Sequence, residues 1–405
     1  MTSIIVIGGG LVGTATAYFS AREGMDVTLL EQEQIGYGAS GRNPGFVWLH
    51  CRNPGWALDI SLAGRRLYDE LLRDLPEPFE FRAEGGVIYF KTPEQGVVFE
   101  EFVKARQADG LDMELIDGPE VRRLVGPIRP DVLGASFCAN DAQINTPTVV
   151  DALAAGARAE GADVREHVRA LGLVTSDGDD GRVVGVETDQ GRLTADVVVV
   201  ATGAWTSKLL AESGLDVRVG IERLQVLATV PRPLDIHPVT YGPLAAKQYS
   251  LFRDLPSWDQ DAFMAPYEIE TGNWMLQLVS QRANGETLLG CPMDYPAEVS
   301  HAVTLAGLRD TALAITDDFP GLRDVAIDRM WAGVLPYTSD QIPIVDEVRP
   351  GLFVAAGHIF GNAAGPMTGK IVSQLLAGRE PEIDMADCRW GRSLEPVTPG
   401  ATVHW

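Results

Sequence analysis

The chain reads SIIVIGGGLVG over residues 3–13, and the interpretation of its N-terminal part follows from this segment. Residues 3–7 are a short β-branched run, which is typical of a buried parallel strand. The glycines after it have the spacing Gly-x-Gly-x-x-Gly, at Gly8, Gly10 and Gly13. Between a strand and a helix, the first glycine permits a tight turn, the second lets a pyrophosphate approach, and the third lets helix and strand pack. The pattern therefore predicts a dinucleotide-binding βαβ unit.

The next segments complete this unit. Residues 11–22 are predicted to form a helix that Gly24 ends, and residues 26–30 a second strand that ends at Glu31. A carboxylate at this position can bind the ribose hydroxyls of a dinucleotide, and it disfavours the extra phosphate of NADP. The helix N-terminus offers N–H groups and a positive dipole end to the phosphates.

The segment after Glu31 indicates which dinucleotide binds, FAD or NAD. Residues 38–43, GASGRN, can wrap small residues and a hydroxyl around a pyrophosphate and bring Arg42 and Asn43 toward a flavin. An NAD enzyme usually continues from the acidic residue into another helix. The segment therefore favours FAD, and an NAD-dependent dehydrogenase is the weaker alternative.

The remaining patterns predict an α/β protein, α+β overall, with a Rossmann-like FAD-binding domain and an inserted antiparallel β-sheet substrate domain. Residues 197–200 and 352–356 are further buried apolar runs that lead into glycines. Residues 217–323 are richer in Trp, Tyr, Pro and Gln, with strands around a turn at residues 283–285. The predicted FAD-binding domain comprises residues 1–85, 145–216 and 325–390, and the substrate-binding domain residues 86–144 and 217–324.

Composition limits the partners and the compartment. The formal net charge of -23 disfavours nucleic acid and anionic lipid as partners. No run approaches the roughly 20 apolar residues that span a bilayer. The cysteines, Cys51, Cys138, Cys291 and Cys388, form no Cys-x-x-Cys pair, so we expect no metal site and a reduced, cytoplasmic chain.

In the order and spacing of its motifs, the chain resembles the D-amino-acid oxidase, glycine oxidase and sarcosine oxidase family of flavoenzymes over nearly its full length. The resemblance rests on residues 7–13, Glu31, residues 38–41, VATGAW at 200–205, WAG at 331–333 and AGH at 356–358. It implies an FAD-dependent oxidoreductase that removes a hydride from the C–N bond of a small-molecule amine or amino acid, giving an imine that water hydrolyses. A homo-oligomer and a hetero-oligomeric dehydrogenase partner are both open.

The resemblance also implies a set of cofactor-binding positions. Glu31 should bind the AMP ribose, Val168 should contact adenine through its backbone, and a glycine-rich turn at residues 357–362 should direct N–H groups at reduced flavin. The expected cofactor-binding residues are Gly8, Gly10, Leu11, Val12, Gly13, Glu31, Gln32, Ser40, Gly41, Arg42, Asn43, Val168, Ala201, Gly203, Trp205, Gly333, Gly357, His358, Gly361 and Asn362.

The chain departs from the family just after the Trp-Ala-Gly motif. Glycine oxidases have an arginine there that binds the substrate carboxylate, and monomeric sarcosine oxidases have a cysteine nearby that links to FAD, whereas this chain has Leu335. We therefore expect non-covalent FAD. Leu288 is the best match for the lysine with which sarcosine oxidases activate oxygen, so the electron acceptor stays open between oxygen and another oxidant.

The candidates for catalysis are His50, His358 and Tyr249, since a histidine can take a proton near neutral pH and tyrosines can enclose an amine. The candidate substrate-binding residues are Trp48, His50, Tyr249, Tyr267 and Tyr337. The arginine that replaces the missing carboxylate ligand could be Arg52, Arg223 or Arg282, and the sequence does not choose among them.

Two other functions stay open at this point. The same fold could oxidise the C–O bond of a 2-hydroxy acid, although a phosphate-bearing substrate would need a basic cluster that is not evident in the sequence. The chain could also be the flavin subunit of a hetero-oligomeric dehydrogenase. Fold alone does not separate these functions, because many chemistries share one scaffold.

Overall fold

The computed structural model describes residues 1–177, 181–265, 268 and 274–397. Its strands are β1 (Ser3–Ile7), β2 (Asp26–Leu30), β3 (Phe46–Val47), β4 (Phe81–Arg82), β5 (Gly86–Phe90), β6 (Met113–Asp117), β7 (Gly134–Cys138), β8 (Ala142–Ile144), β9 (Asp163–Arg165), β10 (Ala170–Thr175), β11 (Val183–Thr188), β12 (Gly191–Thr194), β13 (Val197–Val200), β14 (Gly220–Thr229), β15 (Val239–Tyr241), β16 (Trp274–Gln281), β17 (Thr287–Asp294), β18 (Ile327–Tyr337), β19 (Ile344–Arg349) and β20 (Leu352–Ala356). Its α-helices are α1 (Leu11–Arg22), α2 (Ala39–Arg42), α3 (Trp56–Asp74), α4 (Pro93–Ala108), α5 (Gly118–Leu124), α6 (Thr146–Ala159), α7 (Thr206–Ala211), α8 (Ser250–Arg253), α9 (Leu305–Asp318) and α10 (Gly361–Leu376).

The N-terminal βαβ unit has the predicted bounds and lies at the centre of a six-stranded sheet. β1 pairs in parallel with both β2 and β13, and β13 pairs in parallel with β20. The strand order is β19-β20-β13-β1-β2-β9, and only the edge pair β19–β20 is antiparallel. The apolar runs of β1 and β13 are buried, as expected for parallel strands that are covered on both faces.

A second, eight-stranded sheet is built mainly from the middle of the chain. Its order is β18-β14-β17-β16-β15-β5-β7-β6, and its pairs are antiparallel apart from β5 with β15. The turn at residues 283–285 lies between β16 and β17, as the sequence predicted. The predicted fold class, a Rossmann-like sheet combined with an antiparallel sheet, is therefore confirmed.

The strand β18 belongs to the large sheet, although residues 325–390 were assigned to the FAD-binding domain. It pairs with β14 along its whole length, from Gly220↔Tyr337 to Thr229↔Ile327. Periodicity does not reveal which sheet a strand joins, because the partner strand lies about 100 residues away. The proposed division into domains stays a prediction.

Helices cover the parallel sheet through close, small-residue contacts. α1 packs against α10 at Gly369, where an added Cβ would lie only 2.5 Å from the Cβ of Ala15. α3 approaches α10 equally closely at Gly64, where an added Cβ would lie 1.8 Å from the carbonyl oxygen of Ala363. Among the described helices, none combines the length and the apolar composition needed to cross a bilayer.

Candidate active site

A cavity of about 340 Å³, the sheet-edge cavity, lies where β1, β2, β13 and β20 end. The carboxyl ends of parallel strands are the usual binding edge of an open α/β sheet. The cavity is lined by residues 7–12, 30–32, 37–40, Asn43, residues 168–171, 201–205, Lys208, Leu209, Glu212, Leu335, Pro336, Ala355, Ala356, His358, Gly361 and Asn362.

The glycine turn after β1 presents bare backbone to this cavity. Gly8 has φ +112°, and an added Cβ would lie 2.5 Å from the carbonyl oxygen of Ala201, so the turn requires glycine at this position. α1 begins at Leu11 and has no acidic residue in its first turn, so no side chain of that turn neutralises its positive dipole end. Ser40 Oγ accepts a hydrogen bond of 3.0 Å from the Leu11 N–H and thereby joins the two loops that line the cavity.

Glu31 is positioned at the end of β2 by the backbone around it. Its Oε2 accepts the Gly9 N–H at 2.8 Å, and its Oε1 accepts the Glu33 N–H at 3.0 Å. Burial raises the pKa of the carboxyl, and the hydrogen bonds from backbone N–H groups lower it. The carboxylate thus lies at the cavity wall in a fixed orientation, suited to accept hydroxyl donors.

The Trp-Ala-Gly motif of β18 holds the short helix α2 against the large sheet. Trp331 Nε1 donates a hydrogen bond of 2.9 Å to the carbonyl oxygen of Arg42. At Gly333, an added Cβ would lie 3.2 Å from that same oxygen, so a larger residue would press on the segment. Next to it, Asn362 Nδ2 donates to Asn43 Oδ1 at 2.6 Å, which joins the start of α10 to the end of α2.

A smaller cavity of about 70 Å³, the aromatic cavity, adjoins the first one. The residues that line both are Ala39, Asn43, Leu335, Gly361 and Asn362. The other residues of the aromatic cavity are Arg42, Pro44, Phe46, Trp48, Arg52, Leu224, Val226, Tyr241, Tyr249, Leu276, Leu278, Cys291, Gly333, Ile359, Phe360 and Ala363. Its walls come from the large sheet on one side and from the start of α10 on the other, so it lies between that sheet and α10.

The structure does not bring His50 to either cavity, which gives no support to its predicted catalytic and substrate-binding roles. The side chain is fully buried and stacks on Trp48. Its Nδ1 lies 3.0 Å from Asp141 Oδ2, and its Nε2 lies 2.7 Å from Ser136 Oγ. A carboxylate only accepts, so Nδ1 is the donor, while burial lowers the pKa of the imidazole and keeps it neutral. This Ser–His–Asp arrangement has the residue types of a hydrolase triad but no access for a substrate.

The other catalytic candidates do line the cavities. His358 lines the sheet-edge cavity, with its Nε2 at 3.0 Å from Thr368 Oγ1, and burial lowers its pKa to about 3. Tyr249 lines the aromatic cavity, and burial raises its pKa well above the ordinary value. Near neutral pH, His358 is therefore a neutral imidazole and Tyr249 a neutral phenol.

The remaining substrate candidates have different surroundings. Trp48 lines the aromatic cavity, whereas Tyr337 is buried against Tyr295 and lines neither cavity, which gives no support to its predicted contact with substrate. Tyr267 lies outside the described residues. Sequence reasoning missed Tyr241, which meets the Trp48 ring edge-on at 4.6 Å, because a tyrosine that ends a strand has no distinguishing local signal.

Most of the predicted cofactor-binding residues line the sheet-edge cavity. Arg42 and Gly333 instead line the aromatic cavity. The remaining three, Gly13, Gly41 and Gly357, line neither cavity. Gly13 and Gly41 are close-packing positions, where an added Cβ would lie 1.8 Å from the carbonyl oxygen of Gly8 and 2.0 Å from that of Gly36. Gly357 has φ +91° and shapes the turn before His358.

The cavity at the strand ends, the carboxylate that ends β2 and the exposed helix N-terminus together define a dinucleotide-binding α/β protein. A family model described as DAO, FAD dependent oxidoreductase, matches residues 3–375. The chain therefore belongs to this family of FAD-dependent oxidoreductases.

Relatives of known name cover nearly the whole chain. Glycine oxidase of Bacillus licheniformis is 26% identical over 383 residues, 92% of this chain and 92% of the relative. Sarcosine oxidase subunit beta of Rhodobacter capsulatus is 25% identical over 385 residues, 92% of this chain and 84% of the relative. The crystal structure of glycine oxidase from Geobacillus kaustophilus superimposes with a TM-score of 0.82 at 20% identity, covering 98% of this chain and 100% of that one. This structural likeness supports the fold.

The residues present fit FAD. The glycine turn leaves room for a pyrophosphate, the N-terminus of α1 supplies N–H groups, and Glu31 offers a carboxylate for a ribose. At the other end of the sheet-edge cavity, Leu335, Gly361 and Asn362 form a wall that is shared with the aromatic cavity. A ring system at that end would face the aromatic cavity directly.

Proposed function

We propose that this chain oxidises the C–N bond of a small amine or amino acid to an imine, which water then hydrolyses. The observation that carries the proposal is the aromatic cavity, which shares a wall with the sheet-edge cavity in a chain of the FAD-dependent oxidoreductase family. The relatives named as glycine oxidase and as a sarcosine oxidase subunit act, by those names, on amino acids, and this supports C–N oxidation.

FAD, when bound, supplies the two-electron acceptor for the hydride of the substrate C–H bond. The chain itself contributes orientation and exclusion of water, through the aromatic and aliphatic walls of the aromatic cavity. Burial raises the pKa of both Tyr241 and Tyr249, and it lowers the pKa of His358 to about 3. Because none of these three groups accepts a proton near neutral pH, the substrate amine must enter in its neutral form, and turnover should rise with pH as the substrate itself loses its proton.

Oxidation of a C–O bond is the less supported alternative. The charged residues that line the aromatic cavity are Arg42 and Arg52, and Arg42 stacks on Tyr37 of the sheet-edge cavity. Two separated arginines do not form the basic cluster that a phosphate-bearing hydroxy substrate would need.

Two further proposals concern assembly and compartment. A relative named as a beta subunit supports a hetero-oligomeric assembly as an alternative to a homo-oligomer. Four free cysteines, all of them buried, support a reducing compartment, and we propose the cytoplasm. Size measurement of the tagged protein purified from its own cells would separate a lone chain from a complex.

The function is tested by mixing the FAD-loaded protein anaerobically with amino acids, N-methyl amino acids, cyclic amines and 2-hydroxy acids, and following the flavin absorbance. Bleaching by an amine or an amino acid is expected. Bleaching by hydroxy acids alone would overturn the proposal in favour of C–O oxidation, and bleaching by none would remove its support. Admitting air afterwards distinguishes oxygen from another acceptor.

A further inference from the structure

The three arginines that could bind a substrate carboxylate have different surroundings in the structure. Arg223 is ion-paired with Asp294, and Arg282 is ion-paired with Glu286 at 2.6 Å. Neither lines the aromatic cavity, whereas Arg52 does. Among the described residues, no carboxylate lies within ion-pair distance of Arg52, and its recorded hydrogen bond runs from Nε to the carbonyl oxygen of Trp48 at 2.8 Å.

The Arg52 side chain is held in one orientation by its neighbours. Its guanidinium carbon lies 4.7 Å from the centre of the Phe360 ring, and Phe360 also lines the aromatic cavity. The fully buried Arg106 donates to the backbone carbonyl oxygens of His50, at 3.1 Å, and of Arg52, at 2.7 Å. Arg106 thus ties the backbone of this loop to α4, and the Nη nitrogens of Arg52 can meet a planar, two-oxygen partner.

The surroundings of Arg52 make an anionic partner favourable. Burial lowers the pKa of its guanidinium, which is the sign of a charge that has lost part of its hydration. The second arginine of this cavity, Arg42, has its guanidinium 4.4 Å from the centre of the Tyr37 ring. The wall beside Arg52 contains Trp48, Tyr249 and Phe360, and most of the other lining residues are aliphatic or aromatic, so a molecule bound at Arg52 meets a cation next to a largely apolar surface.

We propose that Arg52 binds the carboxylate of the substrate and that the apolar wall selects a compact apolar side chain. The substrate is then an amino acid with a small aliphatic or cyclic side chain, rather than a simple amine. This inference rests on the proposed function and names the substrate class of the same site. It also explains how the chain dispenses with an arginine at Leu335, which lies in the wall shared by the two cavities.

The first test measures binding without turnover. Cyclopentanecarboxylate and the neutral cyclopentanecarboxamide are titrated into the FAD-loaded protein by calorimetry, with Arg52→Met and a control variant, Arg65→Met. Arg65 also stacks on a phenylalanine, Phe81 at 4.6 Å, but lines neither cavity. We expect Arg52→Met to weaken carboxylate binding at least about tenfold, the loss of a charged hydrogen-bonded contact, and to leave amide binding unchanged. Equal carboxylate binding by Arg52→Met and wild type would overturn the inference.

The second test compares amino acids with the matched decarboxylated amines as reductants of the flavin. In Arg52→Met, the second-order rate of flavin reduction should fall with proline or alanine and stay unchanged with pyrrolidine or ethylamine. If amines and amino acids bleach the flavin equally well in wild type, and also equally well in Arg52→Met, the inference fails while the proposed function stands. If no amine or amino acid bleaches wild type, the proposed function fails. If Arg52→Met does not retain FAD, Arg52→Gln, which is uncharged and shorter but keeps one NH₂ donor group, is judged by the same comparisons.

Discussion

At the scale of single residues, Glu31 combines burial with full use of its carboxylate oxygens. Both oxygens accept backbone N–H groups, yet the side chain still lines the sheet-edge cavity. A hydroxyl donor from a ribose would add to these bonds, since each carboxylate oxygen can accept more than one. Glu31 therefore holds the glycine turn through the Gly9 N–H, and we expect it also to bind a ribose of the cofactor.

Glu31→Gln is expected to weaken FAD binding by about 10-fold to 100-fold, because a neutral amide offers a weaker and single acceptor. The dissociation constant is measured from the fluorescence of FAD titrated with apoprotein. Glu33→Gln is the matched control, since Glu33 is exposed and lines neither cavity. Equal affinity of both variants would contradict the role of Glu31.

Glu222 is a second buried carboxyl, and it is outside the FAD site. It is fully buried on β14, its Oε1 accepts the Tyr295 hydroxyl at 3.3 Å, and its Oε2 has no hydrogen-bond partner among the described residues. Burial raises its pKa to about 8, with a smaller contribution from the nearby charge of Asp294. The folded protein thus keeps a proton that the unfolded chain loses at an ordinary glutamate pKa.

This raised pKa makes stability fall with rising pH. Below the unfolded pKa both states are protonated and Glu222 has no effect, and from there to about pH 8 the unfolded state alone releases the proton, so unfolding becomes easier. Glu222→Gln does not titrate, so the free energy of unfolding of this variant, relative to that of wild type, should increase by about 3 kcal/mol from pH 5 to pH 8. Urea unfolding at both pH values measures the difference. The exposed Glu114→Gln should show no such trend.

At the scale of elements, α10 contains a proline whose missing N–H is compensated by another helix. Pro366 lies inside α10, so the carbonyl oxygen of Asn362, four residues earlier, loses its intrahelical partner. The hydroxyl of Tyr68, from α3, donates to that oxygen at 2.7 Å. The contact fixes the first turn of α10 beside Asn362, which lines both cavities.

Tyr68→Phe should destabilise the protein by about 1–3 kcal/mol, because it leaves a buried carbonyl without a donor. It should also weaken FAD binding through Asn362. The double variant Tyr68→Phe/Pro366→Ala restores an N–H to the helix and should recover part of the lost stability. Thermal unfolding of wild type, the two single variants and the double variant measures the coupling free energy between the two positions. Additive effects of the two substitutions would rule out this explanation.

At the scale of the whole molecule, the sheet-edge cavity and the aromatic cavity share a wall that contains Leu335 of β18. Cys291 is the cysteine that lines a cavity, and burial raises the pKa of its thiol, so the reactive thiolate is disfavoured. We therefore expect acid precipitation to release all of the flavin into the supernatant, for wild type and for Cys291→Ser alike. Yellow colour that stays with the precipitated wild-type chain would disprove non-covalent binding.

The sequence could predict the part of the site that is local in the chain. The βαβ unit, its glycine turn and Glu31 follow from residues 3–31, because strand, turn and helix signals are read within a few residues. The start of α10 is less evident, since the glycine-rich turn predicted at residues 357–362 overlaps the first helical residues, and Pro366 argues against a helix when the Tyr68 contact is unknown.

By itself, then, the sequence determined the nucleotide-binding sheet, the choice of FAD and the family, since these depend on short-range order along the chain. Only the tertiary structure decided that His50 is a buried core residue, that β18 belongs to the large sheet, and that Arg52 rather than Arg223 or Arg282 lines the aromatic cavity. The physical reason is that burial and ion pairing are set by partners far away in sequence. Arg223 meets Asp294 and His50 meets Asp141, at separations of 71 and 91 residues, which no local pattern reveals.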